Sequence, residues 1–200
     1  VSTQSTGEII KSDDLEKLKG QKIEVAQPDS YFAIHIAAQH KSLKIIEFLS
    51  ETQQCKTTED GQTALMICAE NDCFEAVKFL QKELKLKNND GQTALMIAAM
   101  NKCHNIIPYL LDEMNIQDDD GFCALMLAVQ ENDVEGVKLL KQERKLEDSD
   151  GLNALQIAIL RENWDVVKVL WEEETDKEDM MAYAKEEGCL QQLKDTLGIE

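Results

Sequence analysis

Residues 60–66 read DGQTALM, and thirty positions on, at 90–96, the chain reads DGQTALM again. A catalytic group normally occurs once, whereas a motif that returns at a fixed step marks stacked structural units. Aligning on glycine extends the series to Gly61, Gly91, Gly121 and Gly151, each preceded by Asp60, Asp90, Asp120 and Asp150. The glycine is followed by TALMICA, TALMIAA, CALMLAV and NALQIAI when one position is skipped, then by a polar break and a second apolar run.

Those second runs are FEAVKFL, HNIIPYL, VEGVKLL and WDVVKVL. Their apolar positions, such as Phe74, Val77 and Leu80, fall at helical spacing, so one stripe faces a neighbour and the other faces water. Each unit therefore reads as a pair of short helices. The Asp-Gly turn suits a backbone with positive φ, and Thr63, Thr93 or Asn153 stands where it can cap the first helix. Alanines 64, 69, 94, 98 and 99 keep that helix thin while Leu65, Leu95, Leu125 and Leu155 fill a shared core. A single pair of this size cannot bury its own apolar face, so neighbours must stack.

The pattern resembles the ankyrin repeat, whose signature runs D-x-x-G-x-T-P-L-H-x-A-A with a second helix of the L-E-V-V-K-L-L type. Four copies in phase carry the resemblance. A weaker fifth copy, DSYFAIHIAAQHKSLKIIEFL at 29–49, starts 31 residues before its successor and has Ser30 in place of the turn glycine. Three features depart from the family: Ala replaces its proline, Met66, Met96 and Met126 replace its histidine, and each unit is about three residues shorter than usual. Leu86, Ile116 and Leu146 are left to plug the shortened link. Segments 9–20 and 180–197 show helical spacing without the turn and read as caps on the terminal repeats.

The resulting expectation is an all-α solenoid of about five repeats with two capping segments. A polar leader occupies 1–7 and an N-terminal cap 8–27. The repeats cover 28–59, 60–89, 90–119, 120–149 and 150–179, and a C-terminal cap covers 180–200.

Composition narrows the function. The formal charge is -18, with 39 acidic against 21 basic residues, and the segment from Glu147 to Glu200 alone holds fifteen acids against five bases. Such a chain is unsuited to neutralising phosphates, which argues against nucleic acid and anionic membrane surfaces and for a basic partner. Six cysteines without a C-x-x-C pair, and no apolar run of membrane length, read as a reduced cytoplasmic protein, with the nucleus also open.

Chemical sites are weighed against that scaffold and give way to it. In a calcium loop with the turn glycine sixth, the first and twelfth positions would be Leu146 and Ile157, or Ile116 and Leu127, which supply no carboxylate. Cys73 and Cys103 sit at equivalent positions of adjacent repeats, about 10 Å apart, too far for a disulfide. Three histidines and scattered thiols give no zinc spacing. The periodic methionines read as gap-filling residues on the helix. Trp164 shares its register with Phe74, His104 and Val134 and is expected in the core, Trp171 under the acidic cap. Pro108 falls within a second helix and predicts a local kink. No phosphate loop, nucleophile elbow or paired metal-ligand motif is present, so we expect no catalysis, cofactor, metal or small-molecule substrate.

Function in a repeat scaffold lies where the copies differ. Ankyrin proteins bind partners through turn tips and the concave face of the first helices, and the resemblance carries that expectation here. Position by position, the tips are Tyr31, Gln62, Gln92, Phe122 and Leu152. The first-helix ends are Gln39 with His40, Glu70 with Asn71, Met100 with Asn101, Gln130 with Glu131, and Leu160 with Arg161. Phe122, Leu152, Met100 and Leu160 would form an apolar streak bordered by acids, suited to an apolar anchor with a charged rim. The chain is expected to be a scaffold for a basic or amphipathic protein. The alternative is a regulatory or targeting segment of a larger enzyme such as a protein kinase.

Overall fold

The computed structural model describes residues 6–19, 32–172 and 174–199. Every regular element in that range is helical, and the only extended pairing is an isolated bridge between Glu147 and Asn153. The chain divides into two compact units, Val1–Glu113 and Met114–Glu200.

In the first unit, α1 (Thr6–Lys11) and α2 (Leu15–Lys19) form a small cap. The first repeat follows as α3 (Ala33–Gln39) and α4 (Leu43–Gln53). Ser42, at the turn between those two helices, is buried and donates its hydroxyl to the Ile10 carbonyl at 2.6 Å, which fastens the cap to the array. The second and third repeats open with α5 (Ala64–Glu70) and α6 (Ala94–Met100). Their second halves are 3₁₀ rather than α-helical: Phe74–Phe79 with Gln81–Glu83, and Ile107–Tyr109 with Leu111–Glu113. The kink predicted at Pro108 is thus a break into two 3₁₀ turns, in keeping with a missing backbone donor. Phe74–Phe79 adopts the same form without a proline, so the ring is not its only cause.

The second unit holds α7 (Ala124–Gln130) and α8 (Val134–Leu140) with a 3₁₀ turn at Lys141–Glu143, then α9 (Ala154–Leu160) and α10 (Trp164–Trp171). It closes with α11 (Lys177–Glu186) and α12 (Leu190–Leu197), a helical pair as the cap reading requires.

The core follows the repeat. Leu65, Leu95, Leu125 and Leu155 are all buried, as are the thin-helix alanines. Trp171 is buried with the Lys177 ammonium 5.8 Å from its ring centre, whereas Trp164, expected in the core, is only half-buried. Leu86, Ile116 and Leu146 are half-buried at the links. Between the helices of each pair the chain passes through a left-handed residue, at Lys41, Asp72, Lys102, Asn132 and Glu162. None is glycine, so each such turn carries a steric cost of about 1–2 kcal/mol that packing must offset.

Candidate partner-binding surface

The turn tips are built from hydrogen bonds that the sequence motif only partly announces. Gly61, Gly91, Gly121 and Gly151 all have φ between 76° and 83°. At Gly61 an added Cβ would lie 2.9 Å from the Asn89 amide nitrogen, and at Gly121 only 2.6 Å from that of Ser149. Glycine is therefore required twice over there, for backbone angle and for close approach of the next tip. Adjacent tips are tied through the backbone, Asn89 N–H to Asp60 O and Ser149 N–H to Asp120 O. Two residues before each Asp-Gly pair sits an organising side chain. Oδ1 of Asn88 accepts from the amides of Asp90 and Gln92, Oδ1 of Asp118 from Asp120 and Phe122, and Oδ1 of Asp148 from Asp150 and Leu152. Burial, with the charges of Asp120 and Asp119 beside it, pushes the Asp118 carboxyl above its ordinary range despite those two amides. The acids of LEDSDG and IQDDDG thus shape turns.

The caps explain two of the three periodic methionines, Met66 and Met96. Thr63 Oγ1 accepts from the Met66 amide and Asn153 Oδ1 from the amides of Leu155 and Gln156. In return the Met66 thioether accepts from Thr63 N–H at 3.4 Å, the Met96 thioether from Thr93 N–H at 3.5 Å, and Gln156 Oε1 from Asn153 N–H at 2.9 Å. At Thr63 and Asn153 this is the reciprocal capping box, with sulfur at Met66 standing in for the usual carboxylate or amide, whereas at Thr93 only the thioether arm is made. His35 fills the same slot in the first repeat. Its Nδ1 accepts from Phe32 N–H, which leaves Nε2 to donate to the Lys56 carbonyl at 2.9 Å. Burial holds this imidazole below its ordinary pKa.

A second periodic device was absent from the sequence reading. Glu83, Glu113 and Glu143 are each 1 % exposed. Each carboxylate accepts two backbone amides, one from the first helix of its own repeat and one from the tail of the preceding repeat. Glu83 takes Leu65 and Cys55, Glu113 takes Leu95 and Lys85, and Glu143 takes Leu125 and Asn115. The three donating tail residues, Cys55, Lys85 and Asn115, are all left-handed. Burial pushes all three carboxyls above their ordinary range, opposed by the donated amides. In the first repeat the staple position is Gln53, whose Oε1 accepts from Ile34 N–H.

With both ends so anchored, little of each first helix remains accessible. Residues 64–69, 94–99 and 124–129 are buried throughout, so helix bodies offer no surface to a ligand. What remains is the C-terminal end. In the first unit Gln39, His40, Glu70, Met100 and Asn101 are exposed and Asn71 is half-buried. Asn71 and Asn101 each turn a side-chain amide back to a helix carbonyl, Ile67 and Ile97 respectively. In the second unit Glu131, Leu160 and Arg161 are exposed and Gln130 half-buried. Met100 and Leu160, at 39 % and 43 % exposed, are the large apolar residues of these ends. The tip residues Gln62, Gln92, Phe122 and Leu152 are half-buried, and Tyr31 lies outside the described residues. The Gln92 amide reaches the Met100 sulfur at 3.6 Å, so tip and helix end form one surface in that repeat.

Among the described residues no group of three or more His, Cys, Asp or Glu converges as metal ligands, and no helix is long and apolar enough to cross a membrane. All six cysteines are free thiols, Cys55 exposed and the others buried.

Helix–turn–helix units of about thirty residues, tied tip to tip and stapled by buried side chains, define a helical repeat protein. The ankyrin-repeat family model matches three times, over residues 9–90, 80–147 and 113–181, and the chain belongs to that family. The fold is similar to the crystal structure of the ankyrin repeat domain of Bcl-3, described as a unique member of the IkappaB protein family. The TM-score is 0.76 at 20 % identity over 88 % of each chain. Comparison with curated proteins gave no significant sequence match.

Proposed function

We propose that the chain is a protein-interaction module that acts by binding rather than catalysis and takes a basic or amphipathic protein partner. The partner engages the turn tips together with the first-helix ends. One observation carries the reading: the first helices of the second, third and fourth repeats are buried along their bodies and open to solvent at the ends, where the repeats cease to resemble one another. Selection for packing fixes the buried positions, and the exposed ends are free to carry recognition. Met100 is the apolar anchor on the first unit, with the tip acids Asp60 and Asp90 as charged rim, and Leu160 is that on the second, with Asp119, Asp120 and Asp150, each rim steering a basic surface. Free thiols throughout suit a reducing compartment such as the cytoplasm.

The test begins with affinity capture and mass spectrometry to obtain a partner. Binding is then measured by calorimetry for Met100→Ser and Leu160→Ser, with thermal unfolding in parallel. Loss of one anchor should weaken binding about tenfold, corresponding to about 1–2 kcal/mol, at unchanged unfolding temperature. Unchanged affinity in both variants, or association rates indifferent to salt, would refute the assignment.

A further inference from the structure

The second helical layer of the first unit carries an aromatic pair that the binding surface above does not use. Phe74 of the second repeat stacks on Tyr109 of the third, ring centres 5.5 Å apart and planes 17° from parallel. Tyr109 is 53 % exposed, unusual for a ring already engaged in a stack. Beside the pair lies an open groove of about 280 Å³ lined by Phe74, Glu75, Val77, Lys78, Gln81 and Tyr109.

The charges at this groove are arranged differently from their counterparts. In the fourth and fifth repeats the residues equivalent to Glu75 and Lys78 form closed pairs, Lys138 with Glu135 at 2.7 Å and Lys168 with Asp165 at 3.4 Å. In the second repeat Lys78 turns to the neighbouring Phe79 ring instead, its ammonium 4.6 Å from the centre. The position of Phe79 is Leu139 in the fourth repeat and Val169 in the fifth, which offer no ring to attract a cation. Glu75 is thereby left exposed without its lysine. Gln81 donates its side-chain amide to the Val77 carbonyl at 3.0 Å, which leaves its own carbonyl oxygen as an acceptor at the groove wall.

We propose that this groove docks an arginine side chain from a basic protein segment. A guanidinium needs a flat apolar or aromatic face for stacking and acceptors at its edge for several N–H donors. Tyr109 and Phe74 supply the face, Val77 the apolar floor for the methylenes, and the Glu75 carboxylate with Gln81 Oε1 the acceptors. Lysine, a compact ammonium, would use the carboxylate and a point cation–π contact but neither planar stacking nor several edge donors at once, and leucine would use only the floor. The equivalent position pair in the second unit is Val134 with Val169, without rings, so the arrangement occurs once among the described residues.

This site is separate from the tips and helix ends, and its test is independent of them. N-acetyl-arginine amide is titrated into the full chain with the Tyr109 and Phe74 ring signals followed by NMR, alongside the lysine and leucine amides. Saturable shifts are expected with arginine, with a Kd on the order of 10 mM, weaker by several-fold with lysine. Glu75→Gln, with folding checked by circular dichroism, should weaken arginine binding about two- to fivefold. Absence of a saturable arginine shift, equal response to leucine, or unchanged affinity in Glu75→Gln would overturn the assignment and leave the tip surface untouched.

Discussion

Glu113 offers the most direct test of how the repeats are joined. Its carboxylate accepts Leu95 N–H at 2.7 Å within the third repeat and Lys85 N–H at 2.8 Å from the tail of the second, in a site 1 % exposed. Glu113→Ala strips both buried amides of their acceptors. An orphaned buried donor costs about 1–3 kcal/mol, so two cost about 2–6 kcal/mol. The carboxylate pays its own desolvation, evident in its raised proton affinity, and relief of that term offsets part of the loss. We expect a net destabilisation of about 2–4 kcal/mol, a large share of the roughly 5–15 kcal/mol that holds a domain together. Glu113→Gln keeps one acceptor and turns an NH₂ donor toward the other amide, so it should lose about 1–3 kcal/mol. Gln53 holds the equivalent place in the first repeat, with its Oε1 accepting the amide of Ile34. Urea unfolding followed by far-ultraviolet circular dichroism, with the exposed Glu47→Gln as reference, gives the comparison. A Glu113→Ala variant within about 0.5 kcal/mol of that reference would refute the staple, since surface changes fall in that range.

The same carboxylates set a pH dependence. Glu83, Glu113 and Glu143 are raised above the ordinary value of 4.5, chiefly by burial. The folded state therefore holds protons that the unfolded chain has released. Their contribution is fully present below the unfolded pKa and is lost as pH rises through the folded one. Stability should increase on acidification from neutrality toward pH about 4.5, and Glu113→Gln should flatten that slope. Relief of mutual repulsion in a chain of charge -18 acts in the same direction, so the difference between variant and wild type, rather than the slope itself, is diagnostic.

Two further outcomes follow from particular contacts. Gly121→Ala should destabilise more than Gly151→Ala in chemical unfolding, because both have positive φ but only the former brings a Cβ within 2.6 Å of a backbone nitrogen. Equal losses, each about 1 kcal/mol from the backbone angle alone, would show that the tips do not pack as described. With a thiol reagent at pH 8, Cys55 should react first. Cys123, buried and pushed up to about 12 by desolvation and the neighbouring Glu143, should react only on unfolding.

The helix pairs, the turn glycines and the core leucines were legible in sequence because each satisfies a local rule that repeats four times. The 3₁₀ form of Phe74–Phe79 was not, because apolar spacing alone does not separate three residues per turn from 3.6 over six residues. Met66 and Met96 look like filler in sequence because their thioethers bond an amide three residues upstream, a role that only the closed cap reveals. The glutamate staples did leave a signal: QKE, LDE and KQE place an acid at 83, 113 and 143 while the flanking residues vary. In an acidic chain a recurring glutamate resembles a solvated face, and its burial becomes apparent only once two tails converge on it.

That burial also separates the two kinds of acid in this chain. Glu83, Glu113 and Glu143, which recur in the second to fourth repeats, are buried and consumed by backbone amides and have no charge to offer a partner, unlike the equally recurrent but exposed tip aspartates. Exposed acids stand instead at helix ends where the copies differ, as Glu70 does where other repeats carry Met100, Gln130 and Leu160, or, like Glu75, recur as Glu135 and Asp165 but lie beside an unshared ring. Neutralising the first kind should change stability at constant affinity and neutralising the second should change affinity at constant stability. A Glu70→Gln and Glu75→Gln pair measured against Glu113→Gln therefore tests the division directly. Convergence of all three on a single phenotype would mean that recognition and cohesion share the same charges, contrary to the geometry of the repeat.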